Sequence, residues 1–443
     1  MAYALPGFAL AMPTIPAYVF LPAVYGASLG LTATGLALLA SRAFDVLTDP
    51  LIGALSDRLR TRWGRRKPWI AAGGLIGGFA LVMLFRPPAD VSVGYLLVWS
   101  SLLYLGWTLV AIPYNAWGAE LSGDYHQRAR ITAAREGVML LGIVAAGAIP
   151  AAAAAAGRSE NDALALIAWT AALLGLPSFA LLLWRVPDAA RAPSAPTAAR
   201  PDLRAMARAL GSNRPFLRLV AAWFVNGLAN GIPSALFLLY LEHGLRASQG
   251  ARSTLILVYF LAAVAAIPLW LRVSARYGKH RAWCFAMIAT CAAFAWVPLL
   301  APGQIAAFAA ICLVTGIGLG ADLALPPALQ ADVVDFDSLR HGGSRAGLFF
   351  ALWSMSTKLA LAVAVGLAFP ALAAFGFAPG TVNSDRAVVA LAVIYAWVPV
   401  VLKTSAIALV WAFPITLARQ RAIRQRLDRR AAGGPTPSRP SLG

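Results

Sequence analysis

Long apolar runs, broken at near-regular intervals by short polar stretches, dominate this chain. Twelve runs stand out, at roughly 4–26, 30–56, 68–86, 93–119, 131–156, 162–184, 215–241, 252–274, 281–301, 304–331, 346–374 and 387–413. About 20 mostly apolar residues in a helix cross ~30 Å of hydrocarbon. Lipid offers backbone polar groups no partner, so each run is expected to be a helix that bonds its own backbone. Prolines inside the runs, such as Pro50, Pro113, Pro150, Pro233 and Pro268, are tolerated in membrane helices.

The polar stretches between runs alternate in charge. Those after runs 2, 4 and 8, the middle connection and the tail are rich in Arg, as in Arg58, Arg60, Arg62, Arg65, Arg66 and Lys67 after run 2. The opposite connections are nearly bare, with Arg86 after run 3, Arg158 after run 5, Arg246 and Arg252 after run 7, none after run 9 and Arg386 after run 11. Basic loops stay on the cytoplasmic side, which predicts an even number of spans with both termini cytoplasmic. Apolar sequence begins at once with no basic n-region, so the first run is expected to be a retained span.

Composition agrees: 443 residues, 60% hydrophobic and 12% charged, against about a quarter charged in soluble domains. The net charge of +19 lies in short loops and the tail, so no nucleic-acid partner is expected. The three cysteines, Cys284, Cys291 and Cys312, all lie in apolar runs without metal-ligand spacing, so neither a disulfide framework nor a structural metal is expected. No nucleophile–base pair or phosphate loop points to an enzyme.

A linker rich in Ala, Pro and Arg divides the runs six and six. Gly64-Arg65-Arg66-Lys67-Pro68-Trp69 follows run 2, and Gly278-Lys279-His280-Arg281-Ala282-Trp283 follows run 8. The echo falls at corresponding places, as in transporters built from parallel repeats with a site between the halves. The expected fold class is an all-α membrane protein: twelve transmembrane helices in two six-helix bundles. The expected divisions are 1–185, a linker over 186–214, 215–417, and a basic tail over 418–443.

Charges inside the runs are the candidate chemistry. An acid at membrane depth costs at least ~2.5–3.5 kcal/mol and persists when paired or lining a polar path. Asp45 and Asp49 are four apart on one helix face with Arg42. Such a pair suits a cation: Na⁺ through oxygen ligands, or H⁺ if the crowded carboxylates share one proton. The competing reading is a structural ion network. Pro50 discourages ideal helix at Asp49 just before it, a break that would free a carbonyl as a further ligand. Lys358, about a dozen residues into run 11, is too deep for easy snorkelling. Asp322 in run 10 and Lys403 in run 12 are further intramembrane charges; Asp322 ranks second as a site candidate, and Lys403 lines a cavity or snorkels.

Asp57, Arg62, Gly64, Arg65 and Arg66 lie in a stretch, DPLIGALSDRLRTRWGRRKPW, that resembles the loop motif of the major facilitator superfamily. With RAFDVLTDP before it, and ADVVDFDSLRHGGSRAGLFFALWSMSTKLALAVAVGL in runs 10 and 11, the chain resembles the glycoside–pentoside–hexuronide:cation symporters, the melibiose-permease group. The resemblance implies the major facilitator fold. It implies coupling-cation carboxylates at Asp45 and Asp49, a cation-site hydroxyl at Thr108, and a lysine between the cation and substrate sites at Lys358. Thr48 stands where some relatives carry Asn and joins the cation candidates. Arg135 matches an arginine near the central cavity; Arg42, Trp107, Asn115 and Trp353 are further cavity candidates, with Tyr114 and Trp117. The loop motif implies a cytoplasmic latch, with Asp332, Asp335 and Arg345 as counterpart charges and Glu120 in a similar part.

The chain departs from its group at the sugar clamp. No acid precedes Asp45, and LVAIPYN puts Ala111 where the group has Asp. The expectation is cation-coupled symport of a small polar solute, a glycoside, sugar or sugar acid, by alternating access. The alternative is transport of lysolipids or other amphipaths, which an apolar first span would fit. No cofactor is expected beyond the coupling ion, Na⁺ or H⁺. The expected setting is a monomer in the plasma (inner) membrane. A polar cavity facing spans 1, 4, 5 and 11 would favour sugar, and a lateral apolar opening would favour lipid.

Overall fold

The computed structural model describes residues 2–58, 61–88, 90–121, 125–187, 211, 213–341 and 346–431. The described residues are helical apart from turns and one isolated bridge. Twelve helices are long and apolar enough to cross a membrane. They are span 1 (Pro6–Leu29), span 2 (Leu31–Gly53), span 3 (Lys67–Phe85), span 4 (Val93–Gly118), span 5 (Ala134–Ala155) and span 6 (Glu160–Arg185). The second half holds span 7 (Arg214–Gly244), span 8 (Gln249–Tyr277), span 9 (Lys279–Leu299), span 10 (Ile305–Arg340), span 11 (Phe349–Ala374) and span 12 (Asp385–Trp411). The chain is an integral, multi-pass membrane protein.

Two helices outrun their apolar stretches. The helix of span 10 continues to His341, and that of span 5 begins at Tyr125. Hydropathy marks where lipid ends, and backbone bonding carries the helix on into water. Part of the basic tail is also helical, over Leu417–Ala431. Span 1 is less regular. Pro13, Pro16 and Pro22 each withhold an N–H, and the span passes through a wider π turn at Pro16–Phe20. Span 2 differs from the expectation of a break: its helix runs unbroken from Leu31 to Arg58 across Pro50. The proline ring still supplies no N–H to the Val46 carbonyl one turn back.

The two repeat loops share a backbone feature. Gly64 has φ 111° and Gly278 has φ 86°, a region that glycine enters without a Cβ clash. The two glycines share a positive φ in different settings: Gly278 alone joins two helices, whereas Gly64 lies in a longer loop and pairs with Thr61.

Packing is unequal at the two ends. At the bare-loop end one apolar core joins both halves, with Phe20, Leu84 and Leu96 packed in the same cluster as Leu239, Phe308 and Phe369. Polar ties reinforce it: Gln249 Nε2 donates to the Arg158 carbonyl at 2.7 Å, and Arg252 pairs with Glu160 at 3.2 Å. At the basic-loop end each half keeps its own core. Ile70, Val110, Trp117 and Leu182 form one; Trp283, Leu325, Val333 and Phe413 belong to the other. Among the described residues, then, the halves are sealed together at the bare-loop end and separately packed at the basic-loop end. Spans 2 and 11, 5 and 8, and 1 and 7 meet across the boundary.

Candidate cation and substrate site

Helical spacing puts Arg42, Asp45 and Asp49 on one face of span 2, and that face meets spans 4 and 11. Thr108 Oγ1 lies 2.8 Å from Asp45 Oδ1 and 2.8 Å from Asp49 Oδ1. Lys358, from the other half, reaches both acids: its Nζ lies 3.0 Å from Asp45 and 2.7 Å from Asp49. The Thr108 hydroxyl stands 3.4 Å from the same ammonium. Five oxygens of three side chains thus converge, and hard cations bind such oxygen sets. The Lys358 ammonium lies among these oxygens, within 3.4 Å of each of the three side chains.

Arg42 backs this cluster. Its guanidinium pairs with Asp45 at 3.6 Å and lies over the Tyr104 ring at 3.6 Å and the Tyr18 ring at 4.8 Å. Two aromatic faces compensate a buried guanidinium where water cannot. Thr48 turns elsewhere: its hydroxyl donates to the Asp45 carbonyl of its own helix at 3.0 Å, a common use of threonine in a helix.

A cavity of about 220 Å³ lies beside the cluster, between the halves. Its walls come from span 1 and from spans 7 to 12, including Tyr18, Asn230, Asp322, Leu361 and Lys403. Tyr18 therefore faces the cavity on one side and Arg42 on the other. A second cavity, about 490 Å³, lies within the first half between spans 1, 3, 4 and 6. Its walls are glycine and apolar side chains, and it opens outward past the exposed Leu75, Phe79 and Leu176.

Residues 2–417 match the family described as MFS/sugar transport protein. The chain belongs to this family. It is a transporter of the major facilitator fold, of the glycoside–pentoside–hexuronide:cation symporter group, and not an enzyme. It is 27% identical to the Escherichia coli (strain K12) "Glucuronide carrier protein homolog" over 91% of this chain and 89% of that one. It is 23% identical to the Danio rerio "Sodium-dependent lysophosphatidylcholine symporter 1-A" over 86% and 79% of the two chains. Its fold is similar to that of the nucleoside transporter NupG, with TM-score 0.69 at 14% identity over 92% and 98% of the two chains.

Within this transporter the cavity candidates scatter. Trp107 lines the apolar cavity of the first half, not the central one. Trp353 is buried and stacks on Trp223 with ring centroids 4.6 Å apart. Arg135 is held by Asn115 and Glu136, so Arg135 and Asn115 engage each other and neither lines the central cavity. Tyr114 stacks on Tyr3 at 4.5 Å, and the buried Trp117 donates to the Pro187 carbonyl at 3.1 Å. None of these aromatics is among the walls of the central cavity; Trp107 lines the lateral one, and Tyr114, Trp117 and Trp353 pack in the cores. The residues missed were Tyr18, Tyr104, Asn226 and Asn230. Asn226 and Asn230 are four apart on span 7, the same signal that marked Asp45 and Asp49.

The latch residues are partly described. Thr61 and Gly64 exchange backbone bonds of 3.2 and 3.0 Å, which shapes the turn. Arg62 is exposed, while Arg66 is buried and donates to Ser56 Oγ at 3.3 Å. Arg65 and Asp335 are part-buried. Asp332 pairs with Lys279 at 2.7 Å; Lys279 holds the place in the second loop that Arg65 holds in the first. Arg345 and the side chains of Asp57 and Glu120 lie outside the described residues.

Proposed function

We propose that this transporter couples the movement of Na⁺ or H⁺ to symport of a small hydroxylated solute, a glycoside, sugar or sugar acid. It works by alternating access, as a monomer in the plasma (inner) membrane with both termini cytoplasmic. One observation carries the reading: Asp45, Asp49 and Thr108 of the first half share the Lys358 ammonium of the second. A cation entering there competes with Lys358, and that competition changes how the halves hold each other. A ligand shifts such an equilibrium by its differential affinity for the two states. The relative named as a glucuronide carrier homologue, and a central cavity of about 220 Å³, below the ~300–1,000 Å³ of pockets that take drug-sized ligands, support a sugar-sized solute.

The test is uptake of labelled glycosides and sugar acids into proteoliposomes under imposed Na⁺ or pH gradients. Accumulation is expected under one gradient, and Asp45→Asn is expected to abolish it while the protein still inserts. Uptake that ignores both gradients would end the proposal. A second reading, transport of a lysolipid, is favoured by the apolar cavity of about 490 Å³ that opens past Leu75 and Phe79. Its sign would be uptake of lysophosphatidylcholine with none of the sugars.

A further inference from the structure

A second charge cluster, built wholly from the C-terminal half, faces the central cavity. Lys403 of span 12 donates to Asn226 Oδ1 at 2.6 Å and to Asn230 Oδ1 at 2.8 Å. Its third hydrogen is left for Asp322 of span 10, which stands at 3.5 Å, the outer limit of a hydrogen bond. Asp322 is held better by neutral donors: Trp283 Nε1 at 2.5 Å and Asn230 Nδ2 at 2.8 Å. Lys403 and Asp322 are each about 95% buried, yet both line the cavity. Beside them the amide nitrogen of the fully buried Asn226 has no hydrogen-bond acceptor.

We propose that Lys403 anchors the carboxylate of an anionic, hydroxyl-bearing solute in the central cavity, and that Asp322 stands in for that carboxylate while the cavity is empty. The inference rests on the sugar-symport reading and names the chemistry its cavity selects. Two features converge on it. The Lys403–Asp322 contact is long, so an external carboxylate that approaches closely makes the better bond. Asp322 keeps two donors, Trp283 Nε1 and Asn230 Nδ2, when Lys403 turns to the ligand, so both its oxygens stay hydrogen-bonded. The cavity also adjoins the cation cluster. Tyr18 forms a wall of one and covers Arg42 of the other, and Leu361, another wall residue, is three residues from Lys358.

The experiment compares methyl β-D-glucuronide with methyl β-D-glucoside, which differ only by a carboxylate in place of a hydroxymethyl group. Binding to the purified full-length protein is measured by calorimetry in Na⁺ and in choline. Wild type is expected to prefer the glucuronide by about 10- to 100-fold, the usual worth of a charge-assisted bond. Lys403→Gln brings that ratio to about one, since the charge that selects the carboxylate is removed. Lys403→Arg keeps the preference. Asp322→Asn removes the internal competitor and tightens glucuronide binding by about threefold or more. A purely structural ion pair would weaken or unfold in both variants, so the opposite signs carry the test. If Lys403→Gln does not fold, Asp322→Asn and Lys403→Arg still decide it. Equal binding of the two sugars by wild type, a preference that survives Lys403→Gln, or weaker glucuronide binding in Asp322→Asn would overturn the inference and leave sugar symport standing. Binding of neither sugar would overturn both, and lysophosphatidylcholine added to the same samples would then reveal the lipid reading.

Discussion

The two intramembrane charge clusters contain similar parts and are wired differently. Asp45, Asp49 and Thr108 belong to the first half and take their ammonium from Lys358 of the second. Asp322, Asn226, Asn230 and Trp283 belong to the second half, and so does their ammonium, Lys403. The first cluster can be made and broken only as the halves shift against each other. The second travels with its own half as a unit. One is placed to sense motion, the other to hold something still while motion occurs.

Lys358→Met and Lys403→Met sharpen this contrast most. Each leaves buried acid without its ammonium, a loss of about 3–5 kcal/mol, and each is expected to lower the melting temperature clearly. Only Lys358→Met should be restored by the coupling cation, because only there does the cation fill the vacated position. Equal rescue of both variants would erase the distinction between the clusters. Asp49→Asn is next: coupled uptake is expected to fall by about 100-fold or more, with a smaller loss of stability because Lys358 keeps Asp45. Full coupled uptake in this variant, measured in proteoliposomes, would make the first cluster a structural network. Trp283→Phe removes one donor from Asp322 at a cost of about 1–3 kcal/mol, read by thermal melting, and should leave cation dependence unchanged. The smallest effect is expected for Arg252→Gln at the bare-loop end. It breaks the tie to Glu160, worth about 0–1 kcal/mol in stability, and should raise thiol labelling of a cysteine placed at Ser28 on that side.

The twelve spans were legible because lipid demands continuous apolar sequence, and the Asp45–Asp49 pair was legible because a carboxylate is costly there. The spacing of four also placed both acids on one face, as found. Lys358 was legible as an oddity, but its partners lie 309 and 313 residues away, and no local pattern carries such a distance. Trp107 and Trp353 show the other gap. Hydropathy assigns a residue to a span, whereas the side it faces depends on how neighbouring helices rotate. Asn226 and Asn230 carried the same four-residue signal as the acids. They passed unnoticed because neutral amides disturb a hydropathy trace less than charges do.

The make-up of the first cluster also bears on electrical behaviour. Two carboxylates stand against one ammonium and one guanidinium, so the group with Arg42 sums to zero charge. One entering monovalent cation adds a single positive charge, on which a membrane potential acts with ~2.3 kcal/mol per 100 mV. A neutral glycoside carried with it would be drawn inward by an inside-negative potential. A sugar acid would cancel the charge, and its uptake would follow concentration gradients alone. The current recorded during transport would therefore report the charge of the cargo.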